Sequence, residues 1–362
     1  MGAGRQERLC AHGRARQGFH QRAGPPGQVP LRRRVPQVPG RGTVLGGAGG
    51  EEALVSQPKR YNAFSDELKR LFGCKVQRIS VDAGFTCPNR DGSLDTGGCI
   101  FCGGSGSGAY SIRPELSVAA QVEDGKEVMR RKYRAQKFIA YFQAYSNTYA
   151  PVEQLRALFG EALAVPGVVG IIVATRPDCL PDPVLDCLAH VGEETYLWLE
   201  LGLQSIHDKS LAFINRRHDH ACSVAAVQRA KARGIRVCAH VILGLPGESR
   251  EEMLAMAGEL NRLGVDGVKL HLLHVMKGTR LAEMYGRGKV ELMDRDGYGG
   301  LVCDFLELLD PAILIHRLTG DGGRDHLVAP LWSLNKFEVL NLIDAELARR
   351  TSRQGIRFSL NP

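Results

Sequence analysis

From about residue 60 the chain alternates short, continuous apolar runs with segments of helical period. This alternation limits its possible folds more than any other feature. The runs are KVQRISVD (75–82), KFIAYFQAY (137–145), GVVGIIVATR (167–176), TYLWLELGLQ (195–204), IRVCAHVILG (235–244) and GVKLHLLHV (267–275). Helical stretches fall between them. One runs from about Pro114 to Arg134; another spans 151–164, with apolar residues at Val152, Leu155, Leu158 and Ala162. Asp182-Pro183 opens a third, and a fourth runs from His220 to Gly234. In the fifth (249–264), Ser249 and Glu252 read as a capping box and Gly264 as the stop. Strands that are apolar throughout, separated by helices, need a sheet covered on both faces, which favours parallel pairing. A doubly wound sheet and a barrel both satisfy the pattern, and both place function at the C-terminal ends of the strands. After residue 290 come a helix (301–309), one more strand (312–320) and an amphipathic helix (336–350), read as a short C-terminal α/β extension.

The formal charge of +8 suggests a nucleic-acid partner until it is located. Residues 1–60 hold 11 Lys+Arg against 3 Asp+Glu, and the remainder is balanced at 36 of each. The basic segment is rich in Arg, Gly and Pro and has no apolar periodicity, so it cannot bury enough surface to fold. It fits a basic arm, a transit peptide, or upstream sequence read from an over-early start codon. Its first serine is Ser56, which disfavours the transit peptide, and the third reading is preferred. The domain expectation is therefore a disordered basic segment over 1–59, a barrel over 60–290 and an extension over 291–362. No apolar run approaches the roughly 18 residues a membrane helix needs, and no secretory signal is visible. A cytoplasmic, reducing setting is expected, with most cysteines acting as small buried hydrophobes.

Three cysteines stand apart. Cys87, Cys99 and Cys102 lie in CPNRDGSLDTGGCIFC, a loop leaving the C-terminal end of the first strand. Two thiols at i and i+3 can face one metal centre, and the third can complete a three-point clamp. A structural zinc ion wants four ligands, which would recruit Cys74 from before the strand, and disulfides want pairs. Three thiolates can instead hold three irons of a [4Fe–4S] cluster and leave the fourth open. The Gly/Ser run that follows (GGSGSGAY) reads as a linker or as backbone able to approach a ligand closely.

These segments, with ELGLQS and HVILGLPGES in that order, resemble the radical S-adenosylmethionine (SAM) enzymes. The likeness is closest to the YhcC/YtqA-like group, related to the catalytic subunit of Elongator. It covers about residues 60–350, where FQAYSNTYAP, TRPDCLPD and HLLHVMKGT also fit. The resemblance implies a partial (β/α)6 TIM-type barrel of parallel strands. It implies a [4Fe–4S] cluster on Cys87, Cys99 and Cys102 whose open iron is chelated by SAM, which is then reductively cleaved to a 5′-deoxyadenosyl radical. It assigns Gln143 to the methionine amino group, Gln204 to a ribose or carboxylate contact, Arg216 to the methionine carboxylate and His240 to the ribose region. The backbone from Ile242 to Gly244 would border the adenine. Glu200 alternates with apolar neighbours and, buried, needs a partner. The related enzymes carry an acidic residue where this chain has Ala174, so that contact would pass to Thr175 or Arg176. Of His271 and His274, strand alternation lets at most one point inward.

The substrate expected from this kinship is the side chain of the wobble uridine of tRNA, with an electron donor such as flavodoxin or ferredoxin. A small molecule or protein side chain is the alternative substrate. A non-catalytic zinc-bearing RNA-binding module is the alternative outside enzymes. The chain has no segment left for an acetyltransferase domain, so an acetyl-dependent reaction is not carried over. The basic run MRRKYRAQK (129–137) suits phosphate contact or a solvated helix face.

Overall fold

The computed structural model describes residues 59–104, 113–320 and 322–359. The readings made for residues 1–58 and for most of the Gly/Ser run lie outside them. In chain order the elements are α1 (Phe64–Phe72), β1 (Val76–Val81), α2 (Val118–Tyr133), β2 (Lys137–Phe142), α3 (Val152–Ala164), β3 (Val168–Thr175), α4 (Asp182–Glu194), β4 (Tyr196–Gln204), α5 (Asp208–Phe213), α6 (His220–Ala232), β5 (Val237–Leu243), α7 (Arg250–Leu263), β6 (Gly267–Leu272), β7 (Val275–Met276), α8 (Arg280–Gly286), α9 (Arg295–Leu308), β8 (Leu314–Arg317), β9 (Leu327–Ala329) and α10 (Lys336–Arg349). All six expected strands are present. Seven strands form one sheet in the order β1-β2-β3-β4-β5-β6-β8, every neighbouring pair parallel.

The sheet curls into a half-barrel, and strand alternation divides its two faces. One face carries Val81, Phe142, Val173, Leu199, Val241 and Leu270 into the main core, against apolar residues of α2, α3, α4, α6, α7 and α9. The other carries Ile139, Tyr141, Ile172, Tyr196, Trp198 and Cys238, packed with Phe64 and Leu68 of α1. This second set lines the concave interior, and α1 closes its lower end. Local signals act as expected in α7: Ser249 and Glu252 form a capping box, and Gly264 ends the helix at φ 63°.

Two readings needed revision. The C-terminal strand was expected in an appendage, but Val268 pairs with Ile315, so β8 is the seventh strand of the same sheet. Its apolar Ile315 completes the core, which a separate extension would have left exposed. The sixth strand was expected to reach residue 275 but ends at Leu272, where pairing with Leu243 also stops.

Candidate active site

The cysteine loop sits above the C-terminal end of β1 and is tied to the turn that follows α5. Asn89, fully buried, donates through Nδ2 to Asn215 O at 2.7 Å and to Cys99 Sγ at 3.6 Å. Asn215 returns with Nδ2 to Gly98 O at 2.8 Å and to Asp95 at 3.1 Å, and Arg217 Nε bonds Asp95 at 2.8 Å. Ile100 N donates to Ile214 O at 3.1 Å. Asn215 and Arg217 adopt left-handed φ of 56° and 62°, a cost accepted where surrounding contacts over-determine the backbone. Beneath the loop, Ile100 packs with Leu211, Ile214, Ile242, Leu245 and Leu273 in a separate apolar cluster that keeps water from that side.

Arg216 is buried at the junction. Its Nη1 donates to Cys99 Sγ at 3.6 Å and its Nη2 to Gly202 O at 2.6 Å. Gly202 makes this possible: an added Cβ would stand 2.7 Å from Gln204 Nε2 and 2.9 Å from Arg216 Nη2. The β4 ladder slips between Gly202 and Gln204, and Gln204 takes a φ of 70°, so a bulge re-aims this side chain at the rim.

On the inner face, Glu200 finds within the chain the partners its burial requires. Tyr141 Oη donates to its Oε1 at 2.8 Å and Lys269 Nζ at 2.5 Å. Burial pushes the Glu200 carboxyl up, but the charges and hydrogen bonds around it, the Lys269 ammonium foremost, together outweigh it and hold the group down at about 2. Burial in turn pulls the Lys269 ammonium down, against the attraction of Glu200. His240 Nδ1 lies 3.7 Å from Glu200 Oε1, and burial with Lys269 nearby keeps the imidazole neutral. The expectation that only one of His271 and His274 turns inward fails, because β6 ends between them. Ring centroids lie 5.4 Å apart for His240 and His271 and 5.1 Å apart for His271 and His274; a Cβ on Gly320 would strike both of the latter.

Among the described residues, the buried polar atoms without a hydrogen-bond partner include Glu200 Oε2, Gln204 Oε1, Arg216 Nε and His240 Nε2 on this upper interior. Buried polar groups are almost always satisfied, so this set fits a polar ligand beside the cysteine loop. The thiols themselves fit a cationic centre. Burial pushes the Cys102 thiol up to about 11, and Cys99 and Cys87 add to it while Arg90 opposes. Arg90 Nη2 also fixes the loop's end through Cys102 O and Gly103 O. Among the described residues no three His, Cys, Asp or Glu side chains converge as a ready-made metal cage. Cys74 precedes β1 and the loop follows it, which places them at opposite ends of the sheet and removes the four-thiol zinc arrangement.

The other expected residues divide. Gln143 stands at the rim, its Oε1 accepting from Ser80 Oγ at 3.2 Å. Ile242 is buried in the cluster under the loop, and Gly244 leaves β5 at φ 87°. Thr175 is not brought into the group. Its neighbour Ala174 faces the interior, so Thr175 faces away, and its hydroxyl bonds Thr148 Oγ1 at 2.6 Å. Arg176 pairs with Asp178 at 2.6 Å and donates to Arg216 O at 2.8 Å, so it supports the Arg216 turn. The basic run at 129–137 ends α2 at the opposite end of the sheet from the cysteines. Sequence reasoning missed Lys269, whose only signal was a lone charge in an apolar strand, and Asn89 and Asn215, which gave none.

A parallel half-barrel with a three-cysteine loop at its C-terminal rim and unsatisfied polar atoms beside it defines a class: cofactor-dependent barrel enzymes of the TIM type. The radical SAM superfamily profile matches residues 87–260, and the Radical_SAM C-terminal domain matches 265–349. YtqA of Bacillus subtilis (strain 168) is 48% identical over 300 residues, 83% of this chain and 93% of that protein. YhcC of Escherichia coli (strain K12) is 39% identical over 302 residues, 83% of this chain and 95% of that protein. The chain belongs to the radical SAM superfamily, whose members bind a [4Fe–4S] cluster and SAM. A tRNA uridine(34) acetyltransferase of Dehalococcoides mccartyi (strain CBDB1) is 30% identical over 156 residues, 42% of this chain and 33% of that protein. The structure of Methanocaldococcus infernus Elp3 with an N-terminal deletion shares the fold, with a TM-score of 0.60 and 18% identity over 77% of this chain and 64% of that one. Among the described residues no helix is long and apolar enough to cross a membrane.

Proposed function

We propose that this radical SAM enzyme modifies the side chain of the wobble uridine of tRNA in the cytoplasm, with electrons from a small carrier such as flavodoxin or ferredoxin. The substrate reading rests on one observation: the matched stretch of a relative named for tRNA uridine 34. Cys87, Cys99 and Cys102 would hold the cluster. The chemistry that cluster and SAM supply together is one-electron cleavage of the sulfonium.

The protein's own part is positioning. Asn89 and Arg216 direct N–H groups at Cys99 Sγ, and hydrogen bonds to cluster sulfurs are a principal control of potential. With Nη1 and Nη2 of Arg216 engaged, its Nε is what remains for the methionine carboxylate. Gln204 Oε1, neutral His240 Nε2 and Glu200 Oε2 supply the remaining polar contacts, Gln143 those at the amino group, and the backbone from Ile242 to Gly244 the wall beside the adenine. Thr175 is left out of this set because its hydroxyl is spent on Thr148.

Nucleosides of tRNA from cells with and without the gene test the reading. A change confined to the wobble uridine is expected; an unchanged profile there removes the substrate assignment. Anaerobically reconstituted protein that produces 5′-deoxyadenosine from SAM without any response to tRNA points instead to another substrate.

A further inference from the structure

The basic run that ends α2 takes no part in the site described above. From Val128 to Val152 the chain holds Arg130, Arg131, Lys132, Arg134 and Lys137, and no Asp or Glu. Lys75 joins them from the neighbouring segment, where its carbonyl accepts from Gln136 N at 3.0 Å. Lys137 is spent on Phe72 O at 3.1 Å, but Lys75, Arg130, Arg131, Lys132 and Arg134 are exposed, and none makes an ion pair with a described residue. Of the carboxylates of α2, Glu123 is taken by Lys126 and Asp124 by Arg113, and Glu127, one turn back, reaches none of the five. Exposed arginines elsewhere are matched: Arg217 by Asp95, Arg229 by Asp182, Arg262 by Glu259 and Arg349 by Glu346.

Cations in a last helical turn complement the helix C-terminus, but two details go beyond that. The helices α1 and α7 end on glycine in the left-handed region, Gly73 at φ 68° and Gly264 at φ 63°. The same position in α2 is Arg134 at φ 55°, so a charged side chain is kept where glycine avoids the steric cost. The second detail is Tyr133. Lys75 Nζ lies 5.7 Å and Lys132 Nζ 5.2 Å from its ring centroid, so ammonium groups from two segments share one aromatic ring. Mobile cations around an aromatic face are what a nucleic-acid strand engages, through its phosphates and its bases respectively.

Resting on the tRNA reading above, we propose that this surface holds the phosphate backbone of the RNA away from the reacting nucleotide, with Lys75, Arg131, Lys132 and Arg134 on phosphates and Tyr133 as a stacking face. The six residues of β1 separate Lys75 from the cysteine loop, a span of about 20 Å at about 3.3 Å per residue. Stacked nucleotides rise about 3.4 Å each, so about six of them cover that span, and an RNA engaged at the cysteine rim extends to the patch. An electron carrier has to dock beside the thiols, because electron transfer weakens steeply with distance, so the far end of the barrel is not its seat. A small phosphorylated molecule would engage one or two of these cations, whereas five fan around the helix end on an open surface.

The test is an anisotropy titration of a 3′-labelled tRNA transcript with the full chain across a salt series. In Arg131→Gln/Lys132→Gln/Arg134→Gly, affinity at about 0.1 M salt should fall about tenfold or more, and the slope of log affinity against log salt should flatten by about 2, at roughly 0.7–0.9 per lost phosphate contact. Residues 1–58 are present in both chains and cancel in the comparison. Glycine suits the left-handed position of Arg134, so the variant keeps its fold, and its formation of 5′-deoxyadenosine without tRNA should be unchanged. Lys75→Gln, in the other segment, should weaken binding about threefold. Unchanged affinity and slope in the triple variant overturn the proposal. So does competition by poly-L-glutamate of equal charge as effective as that by unlabelled tRNA, which assigns the surface to an acidic protein. An unchanged wobble-uridine profile in cells, with binding still lost in the triple variant, removes the modification reading and keeps the RNA contact.

Discussion

Replacing Lys269 with methionine tests the electrostatic core of the barrel. Lys269 Nζ and Tyr141 Oη meet at Glu200 Oε1, and both charged side chains are 3% exposed or less. The Glu200 carboxyl sits at about 2, against an ordinary 4.5. At 1.36 kcal/mol per unit, its partners favour the charged form by about 3 kcal/mol after burial is offset. Removing the ammonium leaves a buried carboxylate with one phenol donor, a class of change that costs about 3–5 kcal/mol. With a urea slope of about 3 kcal/mol per molar, Lys269→Met should lower the unfolding midpoint at pH 7 by about 1–1.7 M, read by far-UV circular dichroism on the cluster-free chain. The double variant Glu200→Gln/Lys269→Met removes both charges and keeps the Tyr141 hydrogen bond, so it should recover at least half of the loss. The reasoning fails if the single variant stays within about 1 kcal/mol of wild type, or if the double variant is no more stable than the single one.

Acid unfolding follows from the same carboxylate. Because folding lowers its pKa, its contribution is present at neutral pH and is lost as pH falls from 4.5 through about 2, so Glu200→Gln should flatten the stability profile in that window. Cys99→Ser removes the sulfur that both Asn89 and Arg216 address, and anaerobic reconstitution should then retain no stoichiometric iron or sulfide; full retention with undiminished SAM cleavage contradicts the assignment. Gly202→Ala should cost about 1–3 kcal/mol in thermal or urea unfolding by overpacking. It should also weaken cluster retention, since the new methyl competes with Arg216 Nη2; a silent substitution would remove Gly202 from the account.

The fold was legible because apolar runs at strand length, separated by capped helices, admit few arrangements, and the three-cysteine loop marked which end of the sheet mattered. Strand alternation turned Glu200 inward, yet it also predicted that at most one of His271 and His274 does so. That failed where β6 stops at Leu272, since alternation holds only while the strand lasts. Glu200's partner was hidden for a different reason. Lys269 lies 69 positions away, and a lysine in an apolar strand carries no sign of what it will meet. Arg216 was singled out as a cation for a carboxylate, but its reach to Cys99 Sγ depends on the absent side chain of Gly202 across the junction, a relation visible only in space. The seventh strand was recognised as a strand but assigned to the wrong body, because β8 joins the sheet beside β6 after an intervening stretch of helices and turns.

The stitching of residues 89–98 to residues 214–217 sets an order on maturation. The three thiols are made early, but Asn215, Arg216 and Arg217, which fix their loop, are synthesised more than a hundred residues later. A nascent chain that has passed Cys102 but not Arg217 has the three thiols without the hydrogen-bonded frame that orients their loop. Iron delivered at that stage would meet three mobile thiols, whereas iron delivered after β4 and the following turn have closed meets a fixed receptor. If these three thiols hold the cluster, a fixed receptor for it exists only once the barrel's second half has closed, not when the cysteines first appear.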